Sequence, residues 1–189
     1  MKNIAVFLAD GFEEIEALTV VDVTRRAGIA CDIVSIEGEL VRGAHNVYVK
    51  SDKLLNEEEI KNYDMIVFPG GLPGAENLAN DERVKRLVKY FNAEKKFIAA
   101  ICASPAMVLS AAGIEEDRYI TAYPGEDFEA MLDKANYVEE LVVVDENLIT
   151  SRGPATTLLF AYKIVDVLGG NSEGLKEGML WNSLEEEKE

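Results

Sequence analysis

Cysteine is the strongest nucleophile in this sequence, and one of its two cysteines stands where the backbone would help it. Cys102 ends the run Phe97-Ile98-Ala99-Ala100-Ile101 and is followed by Ala103-Ser104-Pro105-Ala106. The five apolar residues do not alternate with polar ones, which predicts a strand buried on both faces. Pro105 suits the first turn of a helix, where its fixed φ fits and its missing N–H is not needed. Cys102 therefore sits between a strand end and a helix N-terminus, facing unpaired N–H groups that stabilise a thiolate. The commoner fate of a free cysteine is a small packed core residue. That is the reading for Cys31, which lies inside a second strand-like run.

A nucleophilic thiol needs a proton partner and a place to hold developing charge. Glu13, Glu14 and Glu16 open a helical segment just after the first apolar run, Ile4 to Ala9. Acids in a first turn are favoured by the helix dipole alone, which suffices for Glu13 and Glu14. Of the three, the one facing inward is the candidate acid/base, and the dipole explains Glu16 least, since it follows an apolar residue inside the turn. Burial beside a thiolate would raise its pKa, because both groups cannot cheaply be charged together. The loop Pro69-Gly70-Gly71-Leu72-Pro73-Gly74 has a backbone shaped for something specific. Gly70, Gly71 and Ala103 are candidate oxyanion-hole residues, Gly71 and Ala103 through their N–H groups. Nucleophile, acid/base and oxyanion hole are the parts of nucleophilic catalysis.

The elements that must position these groups are legible as a pattern. The first strand leads to a helix from Glu13 to Ala27, closed by Gly28, with Ile15, Leu18 and Val21 at helical spacing. Ala30 to Ile36 is the second strand, so the chain begins as a β-α-β unit. Leu40 to Lys50 reads as a hairpin or irregular excursion, and Asn56-Glu57-Glu58-Glu59 as a capped helix start. Met65 to Phe68 is a third buried strand, and Glu82 to Asn92 an amphipathic helix. After Cys102 a helix runs to about Ala112. Tyr119 to Ala122 is a short strand and Phe128 to Ala135 a short helix. A hairpin follows at Leu141 to Ser151, then a long helix from Pro154 through Leu168 and a last one around Leu175 to Trp181. This is a doubly wound α/β domain with a mainly parallel sheet and helices on both faces. Residues 1–183 form one domain, and 184–189 a solvated acidic tail. In such a sheet, ligands bind at the carboxyl ends of strands, where the three catalytic components would meet.

The bulk composition narrows the partners. The chain has 189 residues, is 48% hydrophobic and carries a net charge of -16. That charge speaks against nucleic acid or an anionic membrane surface. Two cysteines make no disulfide framework, and one histidine, His45, leaves no Cys/His zinc spacing, so no metal is expected. The apolar N-terminal run is too short for a signal peptide and no stretch approaches a membrane span, so a cytoplasmic protein is expected.

Five short motifs together resemble the parkinsonism-associated deglycase family of the ThiJ/PfpI superfamily. They are residues 9–16, Arg25-Arg26-Ala27-Gly28, Pro69-Gly70-Gly71, Ala99-Ala100-Ile101-Cys102-Ala103 and Thr150-Ser151-Arg152-Gly153-Pro154. The resemblance implies a flavodoxin-like fold, a homodimer and a cysteine on a strained nucleophile elbow. It implies that Glu16 is a protonated glutamate hydrogen-bonded to the Cys102 sulfur, and that Cys102 is readily oxidised. It also implies a cofactor-independent glyoxalase or deglycase acting on small aldehydes or dicarbonyls. The alternative is an oxidative-stress sensor or chaperone using the same cysteine.

Two departures from the family pattern matter. The protease-like branch has histidine directly after the cysteine, whereas this chain has Ala103. Deglycase-like members often carry a Thr-His-Pro segment, whereas this chain has Ala122-Tyr123-Pro124. A phenol is a poor base at neutral pH, so Glu16 is expected to move protons alone. Tyr123 and Arg152 are possible cleft residues. His45 is expected at a surface or interface and outside the chemistry.

Overall fold

The computed structural model describes residues 2–186. Strand β1 (Asn3–Leu8) leads into helix α1 (Glu14–Arg26) and returns as β2 (Ala30–Ser35). The two strands are parallel, with Asn3 opposite Ala30 and Leu8 opposite Ser35. The excursion at 40–50 is a hairpin of β3 (Leu40–Arg42) and β4 (Tyr48–Lys50). Next come β5 (Lys53–Leu54), α2 (Glu57–Ile60), β6 (Met65–Phe68), α3 (Gly74–Asn80), α4 (Glu82–Ala93) and β7 (Phe97–Ile101). Beyond Cys102 a wide π-type turn, Pro105–Leu109, runs into α5 (Ser110–Ala112). The remainder is β8 (Tyr119–Ile120), α6 (Glu126–Met131), β9 (Asn136–Tyr137), β10 (Val142–Asp145), β11 (Leu148–Ser151) and α7 (Thr157–Val167). Helices α8 (Ser172–Gly178) and α9 (Trp181–Glu186) follow. The expected tail at 184–189 begins within α9 and otherwise lies outside the described residues.

The main sheet has the order β10-β11-β7-β6-β1-β2-β5. Among the described residues of this sheet, only β10 pairs antiparallel, against β11. The central order β2-β1-β6-β7-β11 is the flavodoxin-like doubly wound arrangement. Alternate residues of each strand point to opposite faces, and both faces are covered. Ile4, Val6 and Leu8 pack with Ala17 and Val20 of α1 and Phe160 and Ile164 of α7. Ala5 and Phe7 pack with Leu78 of α3 and Val84, Leu87 and Phe91 of α4. Two-sided burial is why these strands read as unbroken apolar runs, each large side chain contributing about 1.5–3 kcal/mol. No helix among the described residues is long and apolar enough to cross a membrane.

Several elements differ from the sequence reading. In α1 the buried residues are Glu14, Glu16, Ala17, Val20, Val21, Val23 and Thr24, whereas Ile15 is 55% and Leu18 36% exposed. The helix is rotated so that Glu16, not Ile15, points inward. Helix α3 was not expected, because Pro73 and Gly74 look like breakers. Here Pro73 precedes the first turn, and Gly74 opens it where a Cβ would come within 2.5 Å of the Phe12 nitrogen. Strands β5 and β9 have two residues each, too few to show a period. The helix expected at 128–135 starts two residues earlier, and the last helix is divided at Leu180, whose φ is 60°.

Candidate active site

Strands β1 and β6 are neighbours, and the helices that follow them leave to opposite faces. Their carboxyl ends thus flank the switch point where doubly wound sheets open a crevice. β7 is the next strand along and delivers Cys102 to the same edge.

Cys102 has φ 64°, a left-handed conformation that costs a non-glycine residue about 1–3 kcal/mol. Its surroundings hold it there. The Cys102 N–H donates to the Ser151 carbonyl at 3.0 Å, and the Tyr123 N–H donates to the Cys102 carbonyl at 2.9 Å. Ser104, fully buried, donates from Oγ to the Pro69 carbonyl at 2.6 Å and ties the elbow to the glycine loop. This is the nucleophile elbow expected at Cys102.

Glu16 is 0% exposed, and one of its oxygens, Oε2, accepts the Gly70 N–H at 2.7 Å. The other, Oε1, is buried and has no hydrogen-bond partner among the described residues. Burial pushes the Glu16 carboxyl up to about 7, against the opposing hydrogen bonds of Gly70 and Cys102, with the Glu13 charge adding to the rise. Burial likewise raises the Cys102 thiol, and the Glu16 charge and hydrogen bond raise it further. The N–H groups of Ala103 and Gly71 pull the other way by donating to the sulfur. The helix-terminus argument predicts a lowered thiol pKa; burial and the like charge of Glu16 outweigh it. Two negative charges side by side are disfavoured, so the pair keeps at least one proton through neutral pH.

Gly70 has a different part from the one expected. Its N–H is taken by Glu16, so it positions the acid and is not a free oxyanion donor. A Cβ on it would sit 2.6 Å from the Cys102 Cβ and 2.9 Å from Glu16 Oε2, so only glycine lets the three meet. Gly71 and Ala103 keep N–H groups turned toward the sulfur.

The sulfur opens on a pocket of about 290 Å³ lined by Glu13, His45, Gly71, Cys102, Tyr123 and Phe128. Arg152 lies in an adjoining pocket of about 300 Å³ that shares Tyr123. Its guanidinium donates to the Glu139 carbonyl at 3.1 Å and reaches the Tyr137 hydroxyl at 3.5 Å.

His45 is the residue that sequence reasoning set aside. The β3–β4 hairpin folds over the start of α1, with the Ala44 N–H on the Phe12 carbonyl at 2.8 Å. Glu14 clamps the histidine twice, accepting its backbone N–H at 2.7 Å and lying 2.9 Å from Nδ1. Burial would raise the Glu14 pKa, but hydrogen bonds from His45 and Val47 win and hold it below the usual carboxylate value. Gly43 makes the clamp possible, since a Cβ there would fall 2.3 Å from Glu14 Oε1. Atoms of Glu13, Glu14 and His45 lie within 4.8 Å of one another. The hydrogen bonds from His45 to Glu14 account for the spacing.

A model of the DJ-1/PfpI family matches residues 2–167. The chain belongs to that family. It is 41% identical to a zebrafish Parkinson disease protein 7 homolog, covering 89% of this chain and 90% of that one. It is 40% identical to Arabidopsis DJ-1 homolog B over 92% of this chain, but spans only 40% of that longer relative. A fission yeast protein named glutathione-independent glyoxalase DJ-1 is 30% identical, with 88% of this chain and 91% of that one covered. A crystal structure of a DJ-1 superfamily protein from Salmonella typhimurium superposes with TM-score 0.88 at 31% identity, covering 95% of this chain and 98% of that one.

Proposed function

We propose that this DJ-1/PfpI family member is a cofactor-independent glyoxalase that converts methylglyoxal and water to lactate. The observation that carries the reading is Cys102 on a strained elbow, with the protonatable Glu16 and the N–H groups of Gly71 and Ala103 at its sulfur. The naming of the fission yeast relative supports it.

The Cys102 sulfur adds to the aldehyde carbon, and the carbonyl oxygen becomes a hydroxyl in a hemithioacetal. Gly71 and Ala103 hold the N–H groups nearest that oxygen as charge develops. Glu16 takes the proton from the former aldehyde carbon and returns one to the neighbouring carbon. The aldehyde carbon is oxidised to a thioester as the ketone is reduced to an alcohol, so electrons balance within the substrate. Water then releases lactate and frees the thiol. The pure protein should form lactate from methylglyoxal, and Cys102→Ser should lose that activity. Equal lactate formation by both proteins would refute the reading.

A second reading, an oxidation sensor, rests on the contrast between the two cysteines. Cys102 is partly exposed and lines an open pocket, whereas Cys31 is buried in the core. After mild peroxide, mass spectrometry should find added oxygen on Cys102 and none on Cys31. Equal modification of the two would count against it. The two readings share one residue and are compatible.

We also propose a homodimer. Ile15 and Leu18 on α1 and Val47 and Tyr48 on the hairpin turn apolar surface outward. The molar mass in solution should be twice 20.8 kDa, and Ile15→Asp should reduce it to that of one chain. Acidic composition and two unpaired cysteines suit a reducing cytoplasm.

A further inference from the structure

We propose that His45 is the general base that activates water to hydrolyse the acyl group from Cys102, with Glu14 holding its ring. This supplies the last step of the glyoxalase reading with a residue, and it rests on that reading only for the identity of the acyl group. The argument begins with the tautomer. Nδ1 lies 2.9 Å from Glu14 Oε2. An ionised carboxylate only accepts hydrogen bonds, so Nδ1 carries the proton. In the neutral ring the lone pair is then on Nε2, the nitrogen that a buried carboxylate leaves free in hydrolytic triads.

Position divides the labour between His45 and Glu16. Glu16 is fully buried, beside the sulfur and bonded to Gly70. It suits proton transfer within the enclosed substrate, away from water. His45 lines the same pocket as Cys102, and its side chain is 70% exposed. It can therefore recruit a water molecule from solvent on the outer side of an acylated sulfur. The clamp also restrains the imidazole, since Glu14 grips both its ring and its backbone N–H. Nothing else lining the pocket is a good neutral base: its other titratable groups are Glu13, Cys102 itself and the Tyr123 phenol.

In the step, the water oxygen bonds to the acyl carbon as one of its protons passes to Nε2. The carbon–sulfur bond breaks, and the same proton passes to the departing sulfur. One water is consumed, one acid is released, and nothing is oxidised. The base must be unprotonated to act. The Glu14 hydrogen bond and the charges of Glu13 and Glu14 raise the His45 pKa above the usual 6.5. Hydrolysis should therefore speed up with rising pH, with its midpoint displaced upward from that of an unperturbed histidine.

The test uses p-nitrophenyl acetate, which acylates a reactive cysteine without any dicarbonyl chemistry. The wild-type chain should release a burst of nitrophenolate and then turn over steadily. His45→Gln keeps the main-chain N–H on Glu14 and an amide donor on the side chain. It should retain the burst, lose about 10²-fold or more of the steady rate, and accumulate acetyl-Cys102 by intact mass. Added imidazole should restore part of that rate, which a purely structural loss would not allow. An unchanged steady rate in His45→Gln, or no acylation of Cys102 in the wild-type chain, overturns the proposal. Failure of the glyoxalase reading would show separately, as absence of lactate from methylglyoxal while the ester results stand.

Discussion

Replacing Glu16 with glutamine is expected to remove most turnover and yet make the folded chain more stable at alkaline pH. In the proposed glyoxalase step the activity loss follows from proton transfer: an amide still accepts the Gly70 N–H but cannot shuttle a proton between substrate carbons. Losing a positioned acid/base group typically lowers the rate by about 10²–10⁴-fold. The stability gain follows from burial. The folded-state pKa of Glu16 is raised from 4.5 to about 7. Between those values the folded chain binds more proton than the unfolded chain, so stability falls as pH rises through that window. Below about pH 4.5 the carboxyl is neutral in both states and no penalty exists. Above about 7 the folded chain carries a buried charge beside Cys102, and the penalty reaches roughly 3 kcal/mol at about 1.4 kcal/mol per unit. Glutamine carries no such charge. Urea unfolding at pH 5 and pH 8 should show the variant gaining on the wild type only at the higher pH. A difference independent of pH would mean that Glu16 is not held protonated by its surroundings. The pairing of lost rate with gained stability is the signature of an active site strained for its task.

The architecture was legible in the chain because its strands are buried on both sides. Ile4 to Leu8, Met65 to Phe68 and Phe97 to Ile101 have no polar interruptions, and each ends at a residue whose chemistry is unlike a strand's. What escaped is what depends on contact between distant segments. Gly74 reads as a loop residue, and only its approach to the Phe12 backbone explains a glycine that opens a helix. Ile15 and Leu18 have core-like spacing, but α1 is rotated to bury Glu16, which no periodicity signals. The rise of the Cys102 thiol comes first from its burial and then from a like charge brought from another strand end. His45 escaped for the same reason. It lies 57 positions before Cys102 in the chain, and its place in the pocket depends on two hydrogen bonds to Glu14. One local signal pointed to it: Gly43-Ala44 two residues earlier, small enough to let the hairpin close on the acid.

The second large effect is expected at Gly71. Its φ is 86°, and a Cβ there would lie 2.4 Å from the Glu13 nitrogen and 2.5 Å from the Gly11 carbonyl oxygen. These are backbone atoms of the β1–α1 turn, which is itself fixed by the Glu13 N–H on the Gly70 carbonyl at 2.9 Å. They cannot swing aside as a flexible side chain could. Gly71→Ala must therefore bear both the left-handed backbone cost of about 1–2 kcal/mol and a steric cost of about 1–3 kcal/mol. Gly113 separates the two contributions. It has φ 68° and nothing within 4 Å of a Cβ, so Gly113→Ala bears the backbone cost alone. Urea denaturation should place Gly71→Ala about 1–3 kcal/mol below Gly113→Ala. Equal losses would show that the two strand ends can move apart freely. That outcome would also undermine the site, because the same close approach sets the Gly71 N–H against the Cys102 sulfur and the Gly70 N–H against Glu16. The glycine pair is thus the joint at which the fold's packing becomes the geometry around the Cys102 sulfur.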